Sequence, residues 1–218
     1  MFIKIKNLIE PDSEILDVGC GTGRLEFFLS DKCKKITGID LFKKNIEQAE
    51  KKLTKLNHKN IDFKHAGFDS FIKNNSDIFN YVIVTYVIHE LPYEQRLSLL
   101  KGISEISEKI IVGDYLVPRP GEFWNVLNEI VEFAAGKDHY YNFKTFVKHK
   151  GIAGLLNESG LKIHHEIKND PSTNHIAVLT RLDKTFKTNY SPIFLLIQIS
   201  INSFGLSKMR SQNYLFYF

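Results

Sequence analysis

Short runs of β-branched and aromatic residues alternate with segments of helical periodicity in the first half of the chain. The runs predict five strands, which are Ile15–Val18, Ile36–Ile39, Ile61–Lys64, Tyr81–Thr85 and Ile110–Gly113. The segments between them predict helices over 22–30, over the stretch that holds Ile46, Ala49, Leu53 and Leu56, and over 93–108. Such alternation is typical of a parallel sheet with helices on both faces, joined by right-handed crossovers.

The pattern changes after the fifth predicted strand. Two helical segments, Glu122–Ala135 and Lys144–Glu158, follow one another without a strand between them. The next two predicted strands, Lys162–Glu166 and His175–Arg181, are separated only by a turn-rich segment. They therefore predict an antiparallel hairpin at one edge of a seven-stranded, mostly parallel sheet.

The predicted organisation is one α/β domain over residues 1–183, with a helical lid at about 119–158 and an accessory tail over 184–218. Hydrophobic residues are 43% and charged residues 25% of the 218-residue chain, which is typical of a globular protein. The net charge of +4 comes with scattered lysines, so we expect no nucleic-acid partner. No stretch approaches the roughly 20 apolar residues of a membrane span, and no secretory signal pattern is present. We therefore expect a cytoplasmic protein without a membrane span.

A glycine-rich turn lies where the first predicted strand meets the first helix, in the segment Ile15–Gly23. Its glycines follow the spacing G-x-G-x-G, and Arg24 stands where a dinucleotide-binding turn has its third glycine. The acid Asp17 precedes the turn. A second acid, Asp40, ends the second strand about 20 residues past the first glycine, where a carboxylate can accept hydrogen bonds from both ribose hydroxyls. The spacing therefore disfavours a nicotinamide oxidoreductase and leaves other adenosine-containing ligands open.

These motifs resemble those of the class I S-adenosylmethionine-dependent methyltransferases, a Rossmann-like α/β family, over about Ile15–Leu116. Ile15–Gly23 resembles the first motif of that family, Ile36–Leu41 its second, and residues 79–91 its fourth. The resemblance implies S-adenosyl-L-methionine as cofactor, bound by Asp17, Gly19, Cys20, Gly21, Asp40, Leu41, Gly67, Phe68, Thr85 and Tyr86.

Within that set, the resemblance implies that Asp17 helps to hold the methionine amino end, directly or through water. It also implies that Asp40 holds the ribose and that Leu41 or Phe42 covers the adenine. The family often places an acid after the third strand, whereas this chain has Gly67 and Phe68 there, with Asp69 following. Two readings stay open for the adenine amine: Asp69 binds it, or it meets backbone and water.

Three side chains are candidates for catalysis. His89 follows the fourth predicted strand, where it either accepts a proton from the acceptor or caps the next helix structurally. His139 and Tyr140 lie in a segment that we expect to join the two lid helices, where they either contact the acceptor or pack the helices onto the sheet. Asp114 has no carboxylate or asparagine beside it, so we expect no metal site.

The function expected from the resemblance is methyl transfer to a small-molecule acceptor by in-line displacement without a metal ion. Such a reaction gains most from alignment of the nucleophile and exclusion of water, so it needs no catalytic triad. Two alternatives stay open: an RNA or protein methyltransferase, and a non-catalytic module that binds S-adenosylmethionine. The sequence leaves the acceptor and the oligomeric state unspecified.

Overall fold

The computed structural model describes residues 1–119, 121, 123–170 and 172–182. Their seven strands are β1 (Glu14–Val18), β2 (Lys35–Asp40), β3 (Ile61–His65), β4 (Phe79–Thr85), β5 (Ser107–Tyr115), β6 (Leu161–Lys168) and β7 (Asn174–Arg181). The strands form one sheet in the order β3-β2-β1-β4-β5-β7-β6. Strands β1 to β5 pair in parallel, and β7 runs antiparallel to both β5 and β6. The predicted seven-stranded sheet with an antiparallel edge hairpin is confirmed.

Eight α-helices accompany the sheet in the described part of the chain. They are α1 (Phe2–Leu8), α2 (Arg24–Leu29), α3 (Lys43–Leu56), α4 (Phe68–Lys73), α5 (Tyr93–Ile106), α6 (Phe123–Ala134), α7 (Lys137–Lys148) and α8 (Leu156–Ser159). Two 3₁₀ turns, Ile88–Glu90 and Gly151–Leu155, precede α5 and α8.

Alternate side chains of the central strands enter two apolar cores on opposite faces of the sheet. On one face, Ile15 and Ile83 pack with Ile5 of α1 and with α2. On the other face, Leu16 and Val84 pack with α5 and α7. Because residues 15 and 16 are neighbours in β1, their opposite directions show directly that helices cover both faces, as the alternating pattern predicts.

The strand order reverses at β1, which lies between β2 and β4. The chain runs from β1 to β2 on one side and from β4 to β5 on the other side. A crevice therefore opens between the two connections, at the carboxyl ends of β1 and β4. In an open parallel sheet this crevice is the usual place for a ligand. It is bordered here by the turn after β1, the end of β2 and the end of β4.

Two predicted helix boundaries are wrong. The predicted helix 93–108 ends at Ile106, because Ser107 already pairs with Phe79 in the sheet. The second lid helix was expected at Lys144–Glu158, but α7 begins at Lys137 and ends at Lys148. The backbone then turns left-handed at Lys150 (φ 65°) and Gly151 (φ 61°), which stops the helix. His139 and Tyr140 therefore lie in the first turn of α7 and do not form a junction between helices.

Within the residues that the structure describes, no helix is long and apolar enough to cross a bilayer. The accessory tail expected over 184–218 lies outside the described residues.

Candidate functional site

The turn after β1 requires glycine for two reasons. Gly19 and Gly21 have left-handed backbone, with φ of 80° and 56°. A Cβ on Gly19 would also lie 2.3 Å from Cγ2 of Val87, which is closer than any real contact. Space is open beside Gly21, where a Cβ would meet no heavy atom within 4 Å among the described residues. The turn therefore packs tightly on the β4 side and leaves its backbone accessible on the other.

Asp40 fixes this turn to the end of β2. Its Oδ2 accepts a hydrogen bond from the Gly21 amide at 2.9 Å, and its Oδ1 accepts one from the Phe42 amide at 2.7 Å. Nδ2 of Asn45 donates a longer bond to Oδ1, at 3.3 Å. Oδ2 can accept a second hydrogen bond, whereas Oδ1 already accepts two. A buried acid thus holds the turn in place and still has capacity for a ligand hydroxyl.

One cavity of about 690 Å³ lies over these groups, within the range of about 300–1,000 Å³ that is usual for ligand clefts. The residues expected to bind cofactor that line it are Gly19, Gly21, Asp40, Leu41, Gly67, Phe68, Thr85 and Tyr86. The cavity also reaches Gln95, Ser98 and Leu99 of α5, which the sequence analysis missed. Ser98 and Leu99 follow Gln95 by three and four residues, so the three side chains lie on one face of α5, apart from the apolar face that the sequence predicts. This spacing was the signal in the sequence that could have found them.

The rim of the cavity beside Asp40 carries two large apolar side chains. Leu41 and Phe42 are 68% and 67% exposed, although such residues usually lie inside a protein. Gly67 makes room for this arrangement, because a Cβ there would lie 2.9 Å from Cδ2 of Leu41. Asp69 lines the same part of the cavity. An apolar rim next to a carboxylate fits an aromatic base attached to a ribose, so the residues present fit an adenosine group.

Two residues expected to contact the cofactor do not line the cavity. Cys20 points its side chain into a small core with Ile46 and Phe63. Asp17 is buried beside Glu26, and Asp17 Oδ1 and both carboxylate oxygens of Glu26 accept no hydrogen bond from the described residues. Burial raises the pKa of Asp17 to about 7. Burial and the neighbouring Asp17 charge raise the pKa of Glu26 well above its ordinary value.

The two acids Asp17 and Glu26 are buried together. A proton held by Glu26 gives the pair a donor and removes one of two adjacent charges. Asp17 therefore belongs to a proton-sharing pair beside the turn, and its contact with the methionine amino end, directly or through water, stays a prediction.

The far end of the cavity is formed by Tyr86 and Glu90. Tyr86 has a left-handed backbone with φ of 56°, which is uncommon for a residue with a bulky side chain. Its amide donates to Gly113 O at 2.8 Å, and its ring lies edge-on to Tyr115. Strained residues of this kind persist where the surroundings hold them, often beside a ligand site. Glu90 is exposed on the cavity wall.

His89 does not line the cavity, although it lies between Tyr86 and Glu90 in the chain. It is 2% exposed, and its Nδ1 donates to Asp114 Oδ1 at 2.8 Å. The His89 amide donates to the other Asp114 oxygen at 3.2 Å. Burial lowers the pKa of His89, but the charge and hydrogen bond of Asp114 outweigh it, and the pKa is raised. This imidazole is held rigidly, with Nε2 directed away from Asp114.

An acid that the sequence analysis missed, Glu132, lies between His89 and His139. Glu132 of α6 is 3% exposed. One of its oxygens lies 3.6 Å from His89 Nε2, and the other lies 2.6 Å from His139 Nε2. The Tyr115 hydroxyl donates to Glu132 Oε1 at 2.6 Å. Glu132 gave no signal in the sequence because α6 is amphipathic, and one acid on such a helix is ordinary.

Tyr140 takes part in a separate polar network of the lid. Its hydroxyl donates to Glu129 Oε1 at 3.0 Å, and Lys144 and Arg119 also bind Glu129. The hydrogen bonds, that of Lys144 above all, lower the pKa of Glu129 to about 2. Tyr140 does not line the cavity. Its side chain packs against the apolar core between the sheet, α5 and α7, and its hydroxyl connects α7 to α6.

A buried arginine connects α7 to the 3₁₀ turn beside the cavity. Arg96 of α5 is fully buried. Its Nε donates to Ile88 O at 3.0 Å, and one terminal nitrogen donates to Asn142 O at 2.6 Å and to the Thr145 hydroxyl at 3.0 Å. The guanidinium thereby connects the 3₁₀ turn that carries His89 and Glu90 to α7.

Comparison with known proteins places this geometry in a family. A methyltransferase-domain family matches residues 15–109. A probable cobalt-precorrin-6B C(15)-methyltransferase (decarboxylating) of Methanobrevibacter smithii is 33% identical over 131 residues, which cover 59% of this chain and 67% of that protein. An uncharacterized RNA methyltransferase of Clostridium tetani is 36% identical over 55 residues, which cover 25% of this chain and 12% of that protein. The chain thus spans two thirds of the first relative's length but only a small part of the second's.

The fold is shared with solved methyltransferases. The N-methyltransferase NodS from Bradyrhizobium japonicum WM9, in complex with S-adenosyl-L-homocysteine, matches with a TM-score of 0.59 at 13% identity, and the match covers 84% of each chain. The glycine turn, the acid at the end of β2 and the order of the strands agree with the family that matches in sequence. The chain belongs to the class I S-adenosylmethionine-dependent methyltransferases.

Proposed function

We propose that this protein transfers a methyl group from S-adenosylmethionine to a small-molecule acceptor that binds at the Tyr86 and Glu90 end of the cavity. The observation that carries the proposal is continuity: one cavity joins Asp40 and the glycine turn to Tyr86 and Glu90. When bound, S-adenosylmethionine supplies an electrophilic methyl group on a sulfonium, which a nucleophile attacks in line.

The residues beside β2 account for cofactor binding. Asp40 accepts one ribose hydroxyl on the lone pair of Oδ2 that Gly21 leaves free, and the other on Oδ1 in place of the long bond from Asn45. Leu41 and Phe42 cover the adenine, which removes their exposed apolar surface from water. The open backbone at Gly21 admits the rest of the cofactor along the turn.

The residues beside β4 account for the acceptor. A hydroxyl must lose its proton as it attacks, and an ammonium must lose one before its nitrogen can attack. Glu90 is the carboxylate on the cavity wall at this end. Tyr86 faces the same space, and its strained backbone fixes the ring direction. His89 lies behind this wall, so we assign it to holding the wall and the lid, and assign the proton acceptor to Glu90. His139 and Tyr140 act on the acceptor only through the lid.

The transfer step itself is proposed to proceed without a metal ion. Among the described residues, the three side chains that converge with metal-ligand spacing are His89, Glu132 and His139, and none of them lines the cavity. The C–S bond breaks to release a neutral thioether, so the leaving group develops no negative charge that a metal ion would have to stabilise. Alignment and exclusion of water are therefore the main contributions of the chain.

A small-molecule acceptor is favoured over RNA by the charge of the chain. The net charge of +4 on 218 residues is modest for a protein that neutralises many phosphates. The relatives do not separate the two classes, because 131 residues match a relative named for a cobalt-precorrin and 127 residues match, at 32% identity, the ribosomal RNA small subunit methyltransferase A of Mesomycoplasma hyopneumoniae. An RNA acceptor is therefore the second candidate.

The test is a transfer assay with methyl-labelled S-adenosylmethionine, offered separately to a small-molecule extract and to total RNA. Label in the small-molecule fraction is expected. Glu90→Gln should lower the rate at least about tenfold, about 1.4 kcal/mol, with unchanged S-adenosylhomocysteine affinity. The control Asp62→Ala, an exposed acid on β3 outside the cavity, should keep the wild-type rate. Label in RNA alone would support the second candidate, and cofactor binding with no label in either fraction would support a non-catalytic module.

A further inference from the structure

Three metal-ligating side chains converge beneath the lid, outside the cavity. His89 comes from the 3₁₀ turn after β4, Glu132 from α6 and His139 from α7. One ligand atom of each lies within 4.8 Å of the other two. His89 and Glu132 are buried, and the His139 side chain is 25% exposed. The three elements share no sequence motif, so the cluster exists only in the folded chain.

Two polar atoms of this cluster, Glu132 Oε2 and His89 Nε2, have no hydrogen bond to the described residues. Glu132 Oε2 is buried and accepts no hydrogen bond from the described residues, although His139 Nε2 lies 2.6 Å away. The contact therefore has the distance but not the direction of a hydrogen bond. His89 Nε2 lies 3.6 Å from the nearer Glu132 oxygen, beyond hydrogen-bond reach. A buried carboxylate oxygen without a donor is costly unless a ligand satisfies it.

Neighbouring groups support these side chains as they do in metal sites. His89 Nδ1 donates to Asp114 at 2.8 Å, which leaves the lone pair of Nε2 free to bind an ion. Tyr115 donates to Glu132 Oε1 at 2.6 Å and fixes that carboxylate. A carboxylate behind a ligating histidine and a hydrogen bond to a ligating carboxylate are the usual outer contacts of such sites.

We propose that His89, Glu132 and His139 bind a divalent transition-metal ion that fastens α6 and α7 to the 3₁₀ turn at the cavity wall. Two imidazoles and one carboxylate suit zinc or iron(II) and disfavour magnesium or calcium, which prefer oxygen ligands.

The distances fit a small adjustment on binding. Ligand atoms around a tetrahedral ion at about 2.1 Å are about 3.4 Å from one another. Glu132 Oε1 is already 3.6 Å from His89 Nε2. The 2.6 Å distance between Glu132 Oε2 and His139 Nε2 increases as the ion enters between them. A fourth position stays open for water. Because the cluster does not line the cavity, the ion holds the lid and does not activate the acceptor.

The test is zinc binding by the full chain after chelator treatment, followed by calorimetry and by thermal unfolding. One equivalent of Zn²⁺ should bind and raise the melting temperature on the order of 5 °C. Mg²⁺ at the same concentration should not. Co²⁺ should give visible absorption typical of a low-coordinate nitrogen and oxygen site.

Two variants test the ligands. His139→Ala and Glu132→Gln should each weaken Zn²⁺ binding at least about tenfold and abolish the thermal shift. His165→Ala, which removes an exposed histidine on β6, should behave as the wild type. S-adenosylhomocysteine affinity, measured on each variant, shows that the domain is folded, and His139→Ala is the safer variant because its side chain is partly exposed.

The outcomes separate this proposal from the proposed function. Absence of Zn²⁺ binding in a wild type that binds S-adenosylhomocysteine overturns the metal site alone. Equal Zn²⁺ binding by all variants and the control means an adventitious ion only, and also overturns it. If the wild type does not bind S-adenosylhomocysteine, the proposed function is contradicted. The zinc titration then still decides whether the metal site exists.

Discussion

The carboxylate of Asp40 and the amide of Gly21 are joined by a 2.9 Å hydrogen bond that connects the end of β2 to the turn after β1. The two features that the sequence analysis singled out, an acid and a glycine turn, are therefore one structural unit. Asp40 holds the turn, and in the proposed function it also presents an oxygen to the cofactor. Any substitution at Asp40 must be tested for both.

Gly19→Ala should reduce cofactor affinity by blocking the turn. The new Cβ would lie 2.3 Å from Cγ2 of Val87, at a φ of 80° that disfavours a side chain. We expect at least a tenfold loss of S-adenosylhomocysteine affinity, about 1.4 kcal/mol. Calorimetry measures it, and Gly121→Ala is the control because its Cβ would meet no described atom within 4 Å.

A double variant isolates the steric part of this effect. Val87→Ala removes the clashing methyl group, so Gly19→Ala combined with Val87→Ala should recover part of the lost affinity. No recovery would mean that the backbone conformation alone, and not the packing on β4, requires glycine at this position.

The Asp17 and Glu26 pair should make stability fall as pH rises. The pKa of each carboxyl is raised in the folded protein, so the folded state binds protons that the unfolded state releases. The contribution of this pair to the unfolding free energy should therefore be complete below about pH 4 and decline as the pH rises towards 7, at up to about 1.4 kcal/mol per unit for each group. Urea unfolding between pH 4 and 8 measures this dependence.

Glu26→Gln should weaken that pH dependence. The amide keeps the shape of a protonated carboxyl and cannot ionise, so the repulsion with Asp17 no longer develops as the pH rises. The matched control is Glu47→Gln, an exposed acid on α3. A wild type whose stability rises between pH 4 and 7, in parallel with the Glu26→Gln variant, would contradict the proton-sharing pair.

Arg96→Lys should destabilise the lid more than its conservative chemistry suggests. Lysine lacks the fork of donors that reaches Ile88 O, Asn142 O and the Thr145 hydroxyl together. We expect a loss of about 2–4 kcal/mol in unfolding free energy, since the buried acceptors lose their donors. Arg24→Lys, at an exposed arginine, should change it by less than about 0.5 kcal/mol. Urea denaturation compares the two, and similar values would contradict the anchoring role of Arg96.

The sheet was predictable from the sequence because each buried parallel strand is a β-branched run with turn residues at its ends. Asp40 was predictable because its spacing from Gly19 is local to one strand–helix–strand unit. Cys20 was not, since a turn residue between two cavity-lining glycines points its side chain to the opposite side, into the core with Phe63. Spacing along the chain does not reveal which side a turn residue faces.

The lid was the least predictable part. Helical periodicity runs through residues 144–158, and only the left-handed backbone at Lys150 and Gly151 breaks it. The meeting of His89 with Glu132 depends on the packing of α6 across the end of β5, and no local pattern encodes contacts so far apart in the chain. Long-range side-chain clusters of this kind require the folded structure.

Calorimetric titration of S-adenosylhomocysteine into the wild type, Asp40→Ala, Asp40→Asn and the exposed-acid control Asp62→Ala tests the central claim most directly. The wild type and Asp62→Ala should bind one equivalent with equal affinity. Both Asp40 variants should lose more than about 1 kcal/mol of binding free energy, as for a charge-assisted hydrogen bond. Thermal unfolding of the free variants separates this loss from disruption of the Gly21 contact, since Asp40→Asn keeps the size of the side chain. Undiminished affinity in folded Asp40 variants, or tighter binding of NAD than of S-adenosylmethionine by the wild type, would contradict the account.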